Sequence, residues 1–266
     1  MTLWILTYIL LGIASGFIAG LFGVGGGLTI VPILLLLFKA QGFPETELMH
    51  MALGTAMATI VVTSISSMRA HHQHGGVRWD IFRGMALALM AGTFVGSLFA
   101  SRVPTAALGL AFTGIVYWAS LQMLLDFKPK ATRQLPGTAV LAGVGGLIGG
   151  VSSLVAAGGG FLSVPFMLLC NVPIRQAVGT SAALGLPIAF AGVIGYIAGG
   201  WSVADLPGPH LGFVYLPAFI GVVVSTIFMA PVGARLAHRL PVKQLKRAFG
   251  GLLALLATKM LWSLIS

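Results

Sequence analysis

The chain predicts an all-α polytopic membrane protein: two inverted-topology repeats of about five helical segments each, eight long and two short, with glycine-broken helices at the centre. Three observations carry this expectation. Of 266 residues, 58% are hydrophobic and only 8% charged, against about 25% charged in a soluble domain. Most of the first half recurs, position by position, in the second. The arginines and lysines gather on one side of a bilayer only when the two halves are placed upside down relative to each other.

Apolar runs such as Leu3–Phe22, Gly84–Ala100, Thr105–Leu125 and Leu211–Val232 approach or reach the roughly 20 residues that cross a hydrocarbon core as helix. Backbone polar groups must be satisfied inside each span, and no ten-residue alternation suggests a barrel, so the spans are helical. The first run lacks a basic leading region and a small-residue cleavage pattern, and reads as a retained helix rather than a removed signal peptide. The segments fall near 3–22, 28–38, 49–68, 81–100 and 105–125, then near 137–156, 160–170, 176–198, 211–233 and 243–264. The second segment of each half is only about eleven residues, short of a full span. The expected division is a first membrane repeat over 1–127, a cytoplasmic linker over 128–136 and a second repeat over 137–266.

The repeat is anchored by a run written twice. Gly25-Gly26-Gly27-Leu28-Thr29-Ile30-Val31-Pro32 returns 133 residues later as Gly158-Gly159-Gly160-Phe161-Leu162-Ser163-Val164-Pro165. Ala52-Leu53-Gly54-Thr55-Ala56 matches Ala177-Val178-Gly179-Thr180-Ser181 at an offset of 125. Farther on, Gly96, Pro104, Ala111, Phe112, Gly114 and Met123 match Gly233, Pro241, Ala248, Phe249, Gly251 and Met260 at 137. The offset shifts fall in polar loops, where insertions belong, and matching over both halves marks an internal duplication.

Charge selects the topology. If all ten segments change sides, one side holds Arg69, Arg78, Arg83, Lys128, Lys130, Arg133, Arg175, Arg235, Arg239, Lys243, Lys246 and Arg247. The other holds Lys39, Arg102 and Lys259, a 12 to 3 split of the fifteen basic residues. Merging each short segment into its neighbour gives 8 to 7. The positive-inside rule prefers the first arrangement, with both termini outside the cytoplasm. The formal charge of +10 is then explained by loops facing the cytoplasm, not by nucleic acid. The lone Cys170 excludes an internal disulfide and a cysteine-rich metal site.

Three glycines inside apolar sequence disfavour a continuous helix, each by roughly 1 kcal/mol relative to Ala. The breaks at Gly25, Gly26, Gly27 and at Gly158, Gly159, Gly160 would leave backbone N–H groups at the start of the following short helix, where unsatisfied donors and the positive dipole end attract anions. The alternative use of these glycines is close helix packing. Thr55, Thr180 and Ser181, with Ser152 and Ser153 just before the second triplet, supply hydroxyls that can bond an oxyanion or bond back to their own helix. Arg175 lies one turn before Gly179-Thr180, placed to guide an anion or to anchor a cytoplasmic loop.

Glu45, Glu47, Asp80, Asp126 and Asp205 all fall in loops or at segment ends, so nothing supports a carboxylate proton relay within the spans. His71-His72-Gln73-His74 reads as a polar loop rather than a metal site. No nucleophile–base arrangement is visible, so the chain is not read as an enzyme, and no cofactor is called for. Expected partners are a small anionic substrate, a coupling proton or sodium ion and the lipid bilayer.

The glycine breaks, the proline seven positions after the first triplet glycine and the downstream Gly-Thr pair, all duplicated, resemble the TauE/SafE-type sulfite exporter family. The resemblance rests on Gly16, Gly20, Gly23, Gly25, Gly26, Gly27, Pro32, Gly54 and Thr55, and on Gly149, Gly158, Gly159, Gly160, Pro165, Gly179, Thr180 and Ser181. It implies a bacterial inner-membrane permease for sulfite, sulfonates, related sulfur anions or small organic anions. The expected function is therefore a secondary anion transporter working by alternating access, the alternative being an anion channel.

Overall fold

Apolar sequence of this length must form helices that bury one another at the centre and face lipid outside. The computed structural model of the chain describes residues 2–22, 26–125, 134–237 and 242–265. Among these lie ten helices: α1 (Thr2–Phe22), α2 (Gly27–Ala40), α3 (Leu48–Gln73), α4 (Trp79–Ala100), α5 (Thr105–Leu124), α6 (Thr138–Val155), α7 (Gly160–Leu169), α8 (Ile174–Gly200), α9 (Leu216–Ala237) and α10 (Val242–Ile265). A two-stranded hairpin, β1 (His210–Leu211) with β2 (Val214–Tyr215), precedes α9. Helices α1, α3, α4, α5, α6 and α8 are long and apolar enough to cross a membrane. The protein is thus an all-α, multi-pass membrane protein.

The expected segments correspond to the helices, with differences at ends. Helix α3 runs on to Gln73, because neither glycine nor proline occurs between Gly54 and Gly75. His71 and His72 therefore sit on its last turn instead of in a loop. There Trp79 Nε1 donates to His72 Nδ1 at 3.3 Å, and His74 Nδ1 lies 2.8 Å from Ala70 O. Helices α2 and α7 are short, at 14 and 10 residues, and each carries its proline, Pro32 or Pro165, inside.

Helices α3 and α8 form the core. Met49, Met51, Leu53, Met57 and Ile60 of α3, with Leu184, Ile188 and Tyr196 of α8, are all completely buried. Around this pair, α1 packs on α9, α4 on α6 and on α8, and α5 on α10. Each pairing joins one half of the chain to the other. Small residues make the approaches possible, as they do between helices that lack a hydrophobic driving force. Gly12 lies against Val222 and Ser225, Gly16 against Thr226 and Gly20 against Ala230, so α1 and α9 run parallel. Gly84 lies against Leu141, Gly92 against Gly146 and Gly96 against Ser153, so α4 and α6 run parallel as well. Ser120 Oγ donates to Gly250 O at 2.7 Å between α5 and α10.

Large apolar side chains such as Leu87, Phe99, Leu147, Phe228 and Trp262 point outward. In water such a surface would drive association; in a bilayer it is the surface lipid requires.

Candidate functional site

The two glycine runs fold into the same local structure. Gly26 caps α2 with φ 76° and ψ −15°, and Gly159 caps α7 with φ 77° and ψ −11°. Both are left-handed conformations that a side chain disfavours by roughly 1–2 kcal/mol. From Gly26, the carbonyl accepts the N–H groups of Thr29 and Ile30 at 3.0 and 2.9 Å. From Gly159, it accepts those of Leu162 and Ser163 at 3.1 and 2.8 Å. The N–H groups preceding these have no intrahelical acceptor, as at any helix start. Neither first turn carries an acidic residue. Gly25 lies outside the described residues.

The breaks meet in space. A Cβ built on Gly27 would fall inside the carbonyl oxygen of Ala156, and it would come within 2.8 Å of Ile60 Cδ1 of α3. Ala156 is the left-handed C-cap of α6, with φ 45°. The start of α2 therefore abuts the end of α6, one turn before α7 begins. On the far side, Gly158 packs against Gly185 of α8, beside Ser64 of α3.

Hydroxyls line the second break. Ser163 Oγ, fully buried, donates to Gly159 O at 2.8 Å and lies 2.9 Å from Ser181 Oγ. Ser153 Oγ bonds back to Gly150 O at 2.7 Å, and the Ser153 carbonyl accepts from Tyr196 OH at 2.9 Å. Ser152 differs from all of these. Its Oγ is the one buried side-chain nitrogen or oxygen among the described residues with no hydrogen-bond partner. Leaving a buried hydroxyl unpaired costs about 1–3 kcal/mol. Replacing Ser152 by Ala should therefore raise the thermal midpoint of the ligand-free protein in detergent; a fall would mean the hydroxyl has a structural partner.

The two threonines occupy matching positions away from the breaks. Thr55 Oγ1 accepts the backbone N–H of Tyr215 at 3.0 Å, and Thr180 Oγ1 accepts that of Arg78 at 2.8 Å. Gly54 and Gly179 let the carbonyls of Phe213 and Gly76 come into contact at the same two places. Arg78 and Tyr215 are 137 apart, the offset of the repeat in this region. Each Gly-Thr pair is thus a clip that holds one half's helix against the entry to the other half's fourth helix. Arg175 is exposed, with Nη2 3.4 Å from His74 O on the α3–α4 turn.

Of the expected site residues, the structure brings together Gly26, Gly27, Gly158, Gly159, Gly160 and Ser181, with Ser152 and Ser153 on the last turn of α6. It does not bring Thr55, Thr180 or Arg175 into that group. Ser163, which ties Ser181 to Gly159, was not expected, although it stands four residues after the glycine cap. The two breaks also differ chemically. Ser152, Ser163 and Ser181 correspond in the repeat to Ala19, Ile30 and Ala56.

Comparison with known proteins covers nearly the whole chain. The family described as "Sulfite exporter TauE/SafE" matches residues 8–260. A probable membrane transporter protein of Haemophilus influenzae is 38% identical over 260 residues, covering 97% of this chain and 98% of its own. The probable membrane transporter protein YdhB of Bacillus subtilis is 30% identical over 253 residues, covering 92% and 93%. No solved structure matches the chain. With its duplicated glycine caps inside a multi-pass helical bundle, the chain belongs to the sulfite exporter TauE/SafE family of membrane transporters.

Proposed function

We propose that the protein is a secondary transporter for small sulfur-containing or organic anions, of the sulfite or sulfonate class, which holds the anion between the two glycine breaks. The observation that carries this reading is the pair of left-handed glycine caps, at Gly26 and Gly159, that start the two short helices, with Gly27 of the first abutting Ala156, the end of α6 that leads into the second. Helix starts offer donors and a positive dipole end without a fixed charge, which suits an anion that must also leave. The unpartnered Ser152 hydroxyl and the Ser163–Ser181 pair support placing the anion nearer the second break. Gly158 and Gly160 flank the second cap, and Gly25 is proposed to contribute at the first from its place in the repeat.

Transport proceeds by alternating access between inverted halves, 1–127 and 137–266, with the basic loops cytoplasmic and both termini on the opposite side of a bacterial inner membrane. If helices alternate in direction, the first and fourth of one half run oppositely. The parallel packing of α1 with α9, the fourth of the second half, and of α6 with α4, is what inversion requires. Inverted halves can exchange conformations, which is the basis of alternating access.

Uptake of radiolabelled sulfite or thiosulfate into proteoliposomes tests the reading. Saturable uptake, accelerated by unlabelled anion on the far side, is expected. Gly159→Leu should reduce it about tenfold or more, from the ~1–2 kcal/mol of left-handed strain and the clash with Ile188 Cδ1. Flux without saturation or exchange would identify a channel, and undiminished transport by the variant would remove the site from the breaks.

A further inference from the structure

The elements that meet at the two glycine breaks carry no formal charge. Residues 1–38, 51–68, 134–174 and 176–204 contain no Asp, Glu, Lys, Arg or His. The groups at both breaks fall within these stretches. At the first, Gly26 lies against Ala19 and Ile30, and Gly27 against Ile60. At the second, Gly159 lies against Ile188, and Gly158 shares a neighbour, Gly185, with Ser64. Arg175, six residues before Ser181, is exposed at the start of α8 and turned toward His74 O.

The positive potential at the breaks is therefore that of backbone and hydroxyls alone. A helix start carries about half an elementary charge, so α2 and α7 together offer about one. Part of the α2 share is cancelled, because the Ala156 carbonyl at the C-cap of α6 lies against Gly27 and helix C-termini have the opposite sign. Each serine hydroxyl has one hydrogen to give. Ser153 gives its hydrogen to Gly150 O, and Ser163 donates to Gly159 O. That leaves Ser152, fully buried and without a partner, and Ser181, whose contact is Ser163. This set answers one negative charge. A second would be buried with no counter-charge, and an interior of that kind favours the protonated form of whatever it holds.

We propose that the breaks select the singly charged form of an oxyanion and refuse the doubly charged form. The inference rests on the transport reading above and narrows its substrate. Hydrogen sulfite and monosulfonates qualify; doubly charged sulfite, sulfate and thiosulfate do not. Of the two labels named above, sulfite is then the one carried, as its protonated form.

Methanesulfonate and methylphosphonate share a tetrahedral head and a methyl group, which makes them the probes. The first keeps a single charge from acid to alkaline pH, whereas the second gains another near neutrality. Proteoliposomes of the full chain, at equal pH inside and out, take up radiolabelled methanesulfonate against unlabelled competitors. Competition is expressed relative to unlabelled methanesulfonate at the same pH, which cancels any titration of the protein's own groups. Methylphosphonate should compete as well as methanesulfonate on the acid side and about tenfold or more worse on the alkaline side, with sulfate ineffective at both. Ser152→Ala should weaken methanesulfonate and acid-side methylphosphonate alike, by about tenfold or more. Equal competition by methylphosphonate on both sides, or effective competition by sulfate, overturns the selection and leaves the anion site standing. A Ser152→Ala protein that keeps the affinity of wild type for both probes removes the selection from the breaks. If methanesulfonate is not carried at all this inference falls, and uptake of labelled sulfite decides the transport reading separately.

Discussion

Gly27→Ala is expected to abolish the proposed anion transport and to lower the thermal stability of the protein sharply. The added methyl has nowhere to go: its position coincides with the Ala156 carbonyl oxygen and lies 2.8 Å from the Ala156 carbonyl carbon. Backbone, unlike a side-chain tip, cannot rotate away. Relief therefore requires the start of α2 and the end of α6 to separate, which breaks the junction at which the anion is proposed to bind. Overpacking of this kind costs about 1–3 kcal/mol, and more where backbone must move. Gly114→Ala and Gly251→Ala are the controls. Both glycines lie within helices, α5 and α10, and nothing stands within 4 Å of an added Cβ. They should be neutral or slightly stabilising, by up to about 1 kcal/mol, because Ala is the better helix former. Thermal unfolding in detergent, read beside sulfite uptake, separates the three. A Gly27→Ala protein that melts with wild type would show that the two breaks do not touch.

Thr55→Val and Thr180→Val are each expected to destabilise the bundle by about 1–3 kcal/mol, the cost of stranding a buried backbone donor. Both threonines are fully buried, and valine keeps their shape while removing the acceptor that holds Tyr215 N–H or Arg78 N–H. Their bonds connect residues 160 and 102 apart in sequence, so the loss is tertiary and should appear as a lower unfolding midpoint. Serine at either position keeps the acceptor and should restore most of the stability. The effects of the two valines should add, because the clips share no residue. Unchanged midpoints would remove the clip role and return both hydroxyls to the list of substrate ligands.

Much of this architecture was legible in the chain because the bilayer imposes it. A membrane core demands long apolar helices, so composition alone separated this chain from soluble proteins. The duplication predicted that Gly26 and Gly159 are equivalent, and they adopt φ values of 76° and 77°. Equivalence also linked Thr55 with Thr180. What those hydroxyls hold was not legible, since the donors at Tyr215 and Arg78 become neighbours only after the halves interleave. The contact of Gly27 with Ala156 was hidden for the same reason, and nothing in an alanine announces a left-handed C-cap. Glu47 read as a loop carboxylate because it does lie just outside α3. Its contact with His50 is local, at i and i+3, whereas the Val103 carbonyl that His50 also meets arrives from beyond the far end of α4. The chemical difference between the breaks could be read directly: Ser152, Ser163 and Ser181 stand where the first half has Ala19, Ile30 and Ala56.

The central claim is that an anion sits at the junction of the two breaks, against the serine-lined side. The most direct measurement is sulfite affinity and flux for Ser152→Ala in proteoliposomes. The variant is expected to fold with a thermal midpoint at or above wild type and to bind sulfite about tenfold to a hundredfold more weakly, the effect of a lost hydrogen bond to a charged ligand. Wild-type affinity and wild-type flux in a well-folded Ser152→Ala protein would contradict it.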